Sequence, residues 1–300
     1  MYLPHEISNA QVLISVKTYP LPSSKYGELV CTAGFLPDGK WIRLYPIPFR
    51  ALPYDNRYSK YHWVTLELIR NVKDFRPESY RPKFGIDEIK VGEKIDTGKN
   101  RDWAERKKHV LKEVFTSMDD IIQLAKGDEK RSLATLKPHE IIDFVIEEDK
   151  RDWKQKWKDQ LLQYDLFDLD EKGEGKTRGV IAKVPYKYSY KFFSAGDTKP
   201  RTLMIEDWEI GMLYWNCLRQ CRGDEKQANR LVKQKYFDDF CTKKDIHLFL
   251  GTTLQYHLRS PNPFVIIGVF VPPKSKENAM KEVPQGTLKT EGIQQQTLFD

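Results

Sequence analysis

Cysteine is scarce in this chain: Cys31, Cys217, Cys221 and Cys241 are the four in 300 residues. That is too few for a disulfide framework and fits thiols kept reduced. No apolar run is long enough to span a bilayer, and the opening MYLPHEISNAQ lacks the basic and then apolar blocks of a secretory signal. A cytoplasmic protein without a membrane partner is expected. A tight two-cysteine knuckle is also missing. Cys217 and Cys221 stand one helical turn apart and could share a metal, but Cys31 falls in a different predicted domain, so four buried thiols and no metal are expected. The stretch GEGKT at Gly173–Thr177 ends like a phosphate loop, yet Asp170 stands where the loop's first glycine belongs and no apolar strand precedes it. It reads as a surface turn, and no cofactor is expected.

Positive charge and aromatic rings are plentiful. The formal charge is +7, with fifteen Tyr, fifteen Phe and seven Trp. From Lys274 to Asp300 the charges cancel, so the excess belongs to the body. Cations that replace phosphate counterions and rings that stack on bases suit a nucleic-acid surface. A solvated basic surface over an aromatic core is the other reading.

The pattern predicts an α+β chain. Residues 1–95 should form a small β-barrel-like domain, OB-like or PUA-like, from VLISV, ELVCTAGF, KWIRLYP and HWVTLELI, with Pro37-Asp38-Gly39 as a hairpin turn. Alternation along the third strand sets Ile42 and Leu44 toward the core and Trp41, Arg43 and Tyr45 outward, continued by Arg50. That row is either a nucleic-acid-binding face or a sheet face covered by another segment. An Arg- and Pro-rich connector, RNVKDFRPESYRP, leads into a helical segment over residues 96–170. Helices are expected from Asp102 to Phe115, from Ser117 to Lys126, and from Asp149 to Gln163; IIDFVIEE is ambiguous between strand and helix.

Residues 171–273 should form a mixed α/β domain. In VPYKYSYKFF, Tyr186, Tyr188, Tyr190 and Phe192 share one strand face, with Lys187, Ser189 and Lys191 on the other, the two lysines being candidate nucleic-acid contacts. A hairpin through Ala195-Gly196-Asp197 should return along RTLMI. Asp207 should cap a helix from Trp208 to Cys221, and Asp224 another running to Phe240. IHLFLG and FVIIGVFV read as closing strands.

Two carboxylate groupings are catalytic candidates. Asp245 and His247 would point to one side of a strand, where a carboxylate can orient an imidazole as a general base, with His257 nearby. Turn chemistry and satisfied histidines are the alternative. Glu206, Asp207 and Glu209 cluster at a helix start, where capping and the helix dipole also account for them. A single carboxylate or histidine that activates water is enough for attack on a glycosidic bond, but no pattern of paired carboxylates and lysine names a nuclease.

Residues 274–300 form a polar stretch that cannot bury enough apolar surface to order itself, so a flexible tail is expected. It closes on Gln295-Gln296-Thr297-Leu298-Phe299-Asp300. Gln295 to Phe299 resembles the pentapeptide by which bacterial polymerases and repair proteins bind the DNA sliding clamp. Four of its five positions match, the second being Gln296 where Leu is frequent. The resemblance implies that Gln295 hydrogen-bonds at the rim of the clamp groove while Leu298 and Phe299 fill its apolar pocket. It further implies DNA and the bacterial clamp as partners, and a clamp-tethered DNA-processing protein for repair or defence against foreign DNA, with base excision or strand cleavage as its activity. A non-catalytic RNA- or DNA-binding barrel protein is the second expectation, and a small-molecule enzyme using Asp245, His247 and His257 the third.

Overall fold

Alternating apolar residues near the N-terminus roll a sheet into a barrel because one face of every strand must find a common interior. The computed structural model describes residues 3–23, 27–47, 49–155 and 181–274. Its first strands are β1 (Glu6–Lys17), β2 (Leu21–Ser23), β3 (Gly27–Phe35), β4 (Trp41–Ile47), β5 (His62–Arg70), β6 (Ser79–Pro82) and β7 (Lys90–Lys94). Hydrogen bonding runs β1-β3-β4-β6-β5, and β5 pairs back onto β1, so these five close on themselves; β2 and β7 attach at β3 and β5. Val12, Ile14, Ile42, Leu44, Val64 and Leu68 fill the interior. The expected small barrel is present, and Gly39, at φ 87°, makes the turn between β3 and β4. Its closing strand lies in the stretch read as a connector. β6 pairs parallel to β4 and antiparallel to β5. Four residues ending in proline carry almost no strand signal, and Tyr80, fully buried, holds the segment in place.

The outer side of the barrel is also buried. Leu13, Val16, Phe35, Trp41, Phe249 and Phe270 belong to a second apolar layer between the barrel wall and the sheet that follows. Each such side chain contributes about 1.5–3 kcal/mol on full burial. Of the outward row expected on β4, Trp41 and Arg43 are therefore covered. Trp41 packs against Phe35 and Phe249 with ring centroids 3.9 and 5.2 Å away, and Arg43 is buried beside Ser132. Alternation identifies two faces of a strand, but a second layer decides whether either meets water.

After the barrel come α1 (Ala104–Val110), α2 (Met118–Lys126), β8 (Leu133–Leu136) and β9 (Glu140–Glu148). α1 is shorter than the expected Asp102–Phe115, because Trp103 before it takes a left-handed φ of 61°. Arg106 on this helix is buried, its guanidinium 4.0 Å over the Tyr61 ring and its Nε donating to the Ile95 carbonyl. The ambiguous IIDFVIEE is strand β9. Most of the helix expected over Asp149–Gln163, and the turn-rich stretch after it, lie outside the described residues.

The chain continues through β10 (Tyr186–Phe193), β11 (Arg201–Met204), α3 (Trp208–Gln220), α4 (Glu225–Lys233), a π-helical turn (Gln234–Asp239), α5 (Phe240–Lys243), β12 (His247–Thr252) and β13 (Phe264–Phe270). Asp207 and Asp224 cap α3 and α4 as expected, accepting from the backbone N–H of Glu209 and Gln227. The helix expected to reach Phe240 loosens at Gln234. The sheets β9-β10-β11 and β8-β12-β13 meet at a bridge between Ile205 and Ile266. Tyr188, Tyr190 and Phe192 point together into the core beneath α3 and α4. Ser189, on the opposite face, is buried too. No helix among the described residues is long and apolar enough to cross a membrane.

Candidate functional site

At the seam of the two halves the backbone of β1 runs on past its last strand residue. Thr18 bridges Asp207, and the Tyr19 N–H donates to the Glu206 carbonyl at 3.1 Å. This junction holds the barrel wall and the start of α3 apart, leaving a cavity of about 850 Å³. Cys31, Arg43 and Tyr45 enter it from the barrel, Asn71–Asp74 and Arg76 from the β5–β6 loop, and Tyr188, Glu206 and Thr252 from the other half. Its size lies within the range of small-ligand sites.

Two guanidiniums dominate its floor. Arg76, buried, donates from Nε to the Asp74 oxygens at 2.8 and 3.1 Å and from Nη1 to the Thr252 carbonyl. Burial alone would raise Asp74; the Arg76 guanidinium and the Ser79 hydroxyl offset this and hold it low. Arg76 is thus neutralised in place. Arg43 differs. Only 4% exposed, it donates from Nη2 to the Ser132 carbonyl and hydroxyl at 3.2 and 3.1 Å, and its Nε has no partner. Burial, with Arg76 close by, pushes its pKa down to about 10. No carboxylate among the described residues pairs with it directly; Glu78 stands one hydroxyl away, its Oε2 accepting from Ser132 Oγ at 3.0 Å. A buried guanidinium that lines a cavity without a directly paired carboxylate suits an anionic or carbonyl oxygen.

Around this pair sit two acids of different kinds. The half-buried Glu206 carboxyl lines the cavity, and burial raises its pKa. The Cys31 thiol, within the fields of Arg43, Arg76 and Glu206, is also raised, burial outweighing both cations. It is a poor nucleophile there. At the same seam, Lys60 Nζ reaches Asp207 at 2.8 and 3.0 Å and Glu209 at 2.8 Å. Burial raises the Asp207 carboxyl above the ordinary carboxylate range despite Lys60. For Lys60, the two carboxylates overcome burial and hold the ammonium charged.

With this geometry in hand, the relationships of the chain are simple to state. Residues 114–299 match the family model described as Domain of unknown function (DUF8757). The chain belongs to that family. Residues 8–112 match a second model, Domain of unknown function (DUF8758), so the boundary between the two matches falls at the end of the barrel half, beside α1. No curated protein matches the chain.

In this DUF8757 member the candidate residues divide by location. Arg43, Tyr45, Lys187 and Asp207 line the cavity. Trp41 lies in the apolar layer, Arg50 in a short turn at Phe49–Ala51, and Lys191 on the strand surface in register with Asp143. Glu209 serves Lys60. The pairing of the Asp245 carboxylate with an imidazole does not form: Asp245 engages Lys137, and His247 Nδ1 lies 2.9 Å from the Asp245 main-chain oxygen. His257 is fully buried between Thr252 Oγ1, at 2.7 Å, and the Ala125 carbonyl, at 2.8 Å. It is a satisfied core histidine. Gln295, Leu298 and Phe299 lie outside the described residues. Arg76 and Lys60 carry no signal of their own in the sequence, although FRPES combines an arginine, a proline and an acid in the manner of a structured loop.

Proposed function

We propose that the protein acts on DNA, taking one nucleotide of a strand into the cavity between barrel and α/β half. The observation that carries this reading is Arg43, a buried guanidinium that lines a cavity of about 850 Å³ with no carboxylate among the described residues paired to it directly. Lys73, Arg81 and Lys187 on the same walls supply a positive approach for the strand, and Tyr45 and Trp153 present ring surface for a base. Glu206 is the carboxyl placed to handle a proton, and a raised pKa brings it nearer the pH at which a general base works. Base excision needs one such group. The terminal Gln295, Leu298 and Phe299 would tether the body to the bacterial sliding clamp in the cytoplasm, raising its concentration at DNA under synthesis or repair.

The test is a binding titration with single-stranded and duplex DNA across salt, combined with an assay for released base. Binding is expected to fall steeply with salt. Arg43→Met should weaken it, and Glu206→Gln should stop base release while leaving binding in place. Clamp capture should be lost in Leu298→Ala/Phe299→Ala with DNA binding unchanged. Salt-indifferent binding, or binding untouched by Arg43→Met, sinks the reading. A nucleic-acid binder without chemistry, the second reading, is chosen by binding that depends on Arg43 with no base released.

A further inference from the structure

Large apolar side chains are exposed at the mouth of this cavity, where water should have excluded them. Val72 is 80% and Leu254 44% exposed, and both line the opening. They come from different halves of the molecule: Val72 from the β5–β6 loop, Leu254 from the segment between β12 and β13.

Each segment is stiff. In the first, the Asn71 N–H donates to the Ser79 carbonyl at 3.0 Å, the Asp74 N–H to the Asn71 carbonyl at 2.9 Å, and the Lys73 N–H to Asn71 Oδ1 at 3.2 Å. In the second, the His257 N–H donates to the Thr253 carbonyl at 3.0 Å and the Ser260 N–H to the Tyr256 carbonyl at 2.9 Å. The two are fastened together underneath. Arg76 of the first bonds to the Thr252 carbonyl, and the Phe75 ring meets the His257 ring edge-on at 5.1 Å. Two exposed apolar side chains thus stand on segments braced to each other, with Lys73 and the buried Arg43 lining the same cavity.

Exposed apolar side chains on braced segments, beside Lys73 and a cavity in the small-ligand range, fit one occupant, the base stack of a DNA duplex. A base that leaves the stack opens a gap between its neighbours, and apolar side chains that enter such a step offset part of the unstacking cost. We propose that Val72 and Leu254 form a wedge that enters the duplex next to the nucleotide moving into the cavity. The inference rests on the cavity's taking a nucleotide, and adds that the protein opens duplex DNA itself. Lys73 and Lys187 hold the flanking phosphates while the wedge acts.

The experiment uses the full chain and two duplexes carrying 2-aminopurine, whose fluorescence rises on unstacking. In one duplex the probe is paired; in the other it sits in a bulge, already outside the stack. Wild type should raise the signal of the paired duplex and bind the bulged one. Val72→Ala/Leu254→Ala should reduce the paired-duplex response about tenfold while keeping affinity for the bulge within about twofold. Val72→Leu/Leu254→Met, which preserves an apolar wedge, should retain the response. A full response from the alanine variant overturns the wedge, as does equal loss on both duplexes. A wild-type particle that is dimeric and becomes monomeric in the alanine variant also overturns it, since the patch then serves a second copy. If wild type affects neither duplex, the nucleotide-binding reading itself falls.

Discussion

Lys60 in the barrel and Asp207 at the start of α3 form a buried ion pair across the two halves, with Lys60 Nζ 2.8 and 3.0 Å from both carboxylate oxygens. Asp207 is fully buried, and it also caps its helix by accepting from the Glu209 N–H at 3.2 Å. One carboxylate therefore joins a helix terminus to a barrel wall. Lys60→Met leaves that charge buried without its partner and should cost about 3–5 kcal/mol, read as a lower urea midpoint. Adding Asp207→Asn should recover part of the loss, because the cost comes from the stranded charge. A double variant that loses the sum of the two single losses would show that the pair does not couple.

Lys17 lies behind this pair, donating to the Tyr58 carbonyl at 3.1 Å with its ammonium 4.2 Å over the Phe49 ring. Burial, then the nearby Lys60 ammonium, push it down to about 8 from the ordinary 10.5. Between those two values the unfolded chain holds more protons than the folded one, so this residue makes stability rise as pH climbs from about 8 toward 10. Below 8 its charge is a standing cost. Lys17→Met should stabilise the protein by about 1–3 kcal/mol at pH 7, discounted for the partial exposure of the side chain, and the gain should vanish near pH 10.5. Urea unfolding at both pH values checks it.

His247 and His257 are both pushed down by burial. The unfolded chain takes protons on these residues near pH 6.5, where the folded one still refuses them. Stability is accordingly intact above 6.5 and should fall as the solution becomes more acidic. For His257 the physical reason is visible: Nε2 donates to the Ala125 carbonyl, so Nδ1 accepts from the Thr252 hydroxyl, and no site remains for a second proton without turning that hydroxyl away. His257→Gln should flatten the acid limb while costing about 1–3 kcal/mol at pH 7 through a lost buried hydrogen bond. Midpoints at pH 7 and pH 5 separate the two effects.

Gly211 lies in α3 where an alanine would ordinarily help by about 1 kcal/mol. Here a Cβ would overlap the Tyr19 ring. That ring is held by its hydroxyl, which donates to the Ala182 carbonyl at 2.7 Å and accepts from Trp215 Nε1 at 2.9 Å, and it lines the cavity. Gly211→Ala should therefore destabilise by about 1–3 kcal/mol, read as a lower melting temperature, and displace Tyr19 from its place on the cavity wall. A simple rise in melting temperature would show that the helix gain wins.

The elements that could be read along the chain are those whose causes are local. Strict alternation made β10 a half-buried strand, Pro37-Asp38-Gly39 marked a turn, and Asp207 and Asp224 announced two helix starts, because side-chain period and capping act within a few residues. β6 escaped because its four residues become a strand only when β4 and β5 lie on either side. α1 was overextended because its apolar stripe continued past the backbone's own end points.

For the site, the chemistry of single residues was legible and their assembly was not. Arg43 stood out on an alternating strand, yet nothing near it in the chain told that the C-terminal sheet would cover Trp41 and leave Arg43 at a cavity floor. Asp245 and His247 shared a strand face on paper, but Lys137, 108 residues away, took the carboxylate. The +7 charge, the aromatic content and the scarcity of cysteine are properties of the chain in any conformation. Which arginine keeps an idle N–H, which carboxyl loses its water, and which apolar tips remain exposed at a rim depend on contacts between segments far apart in sequence, and those exist only once the two halves have packed.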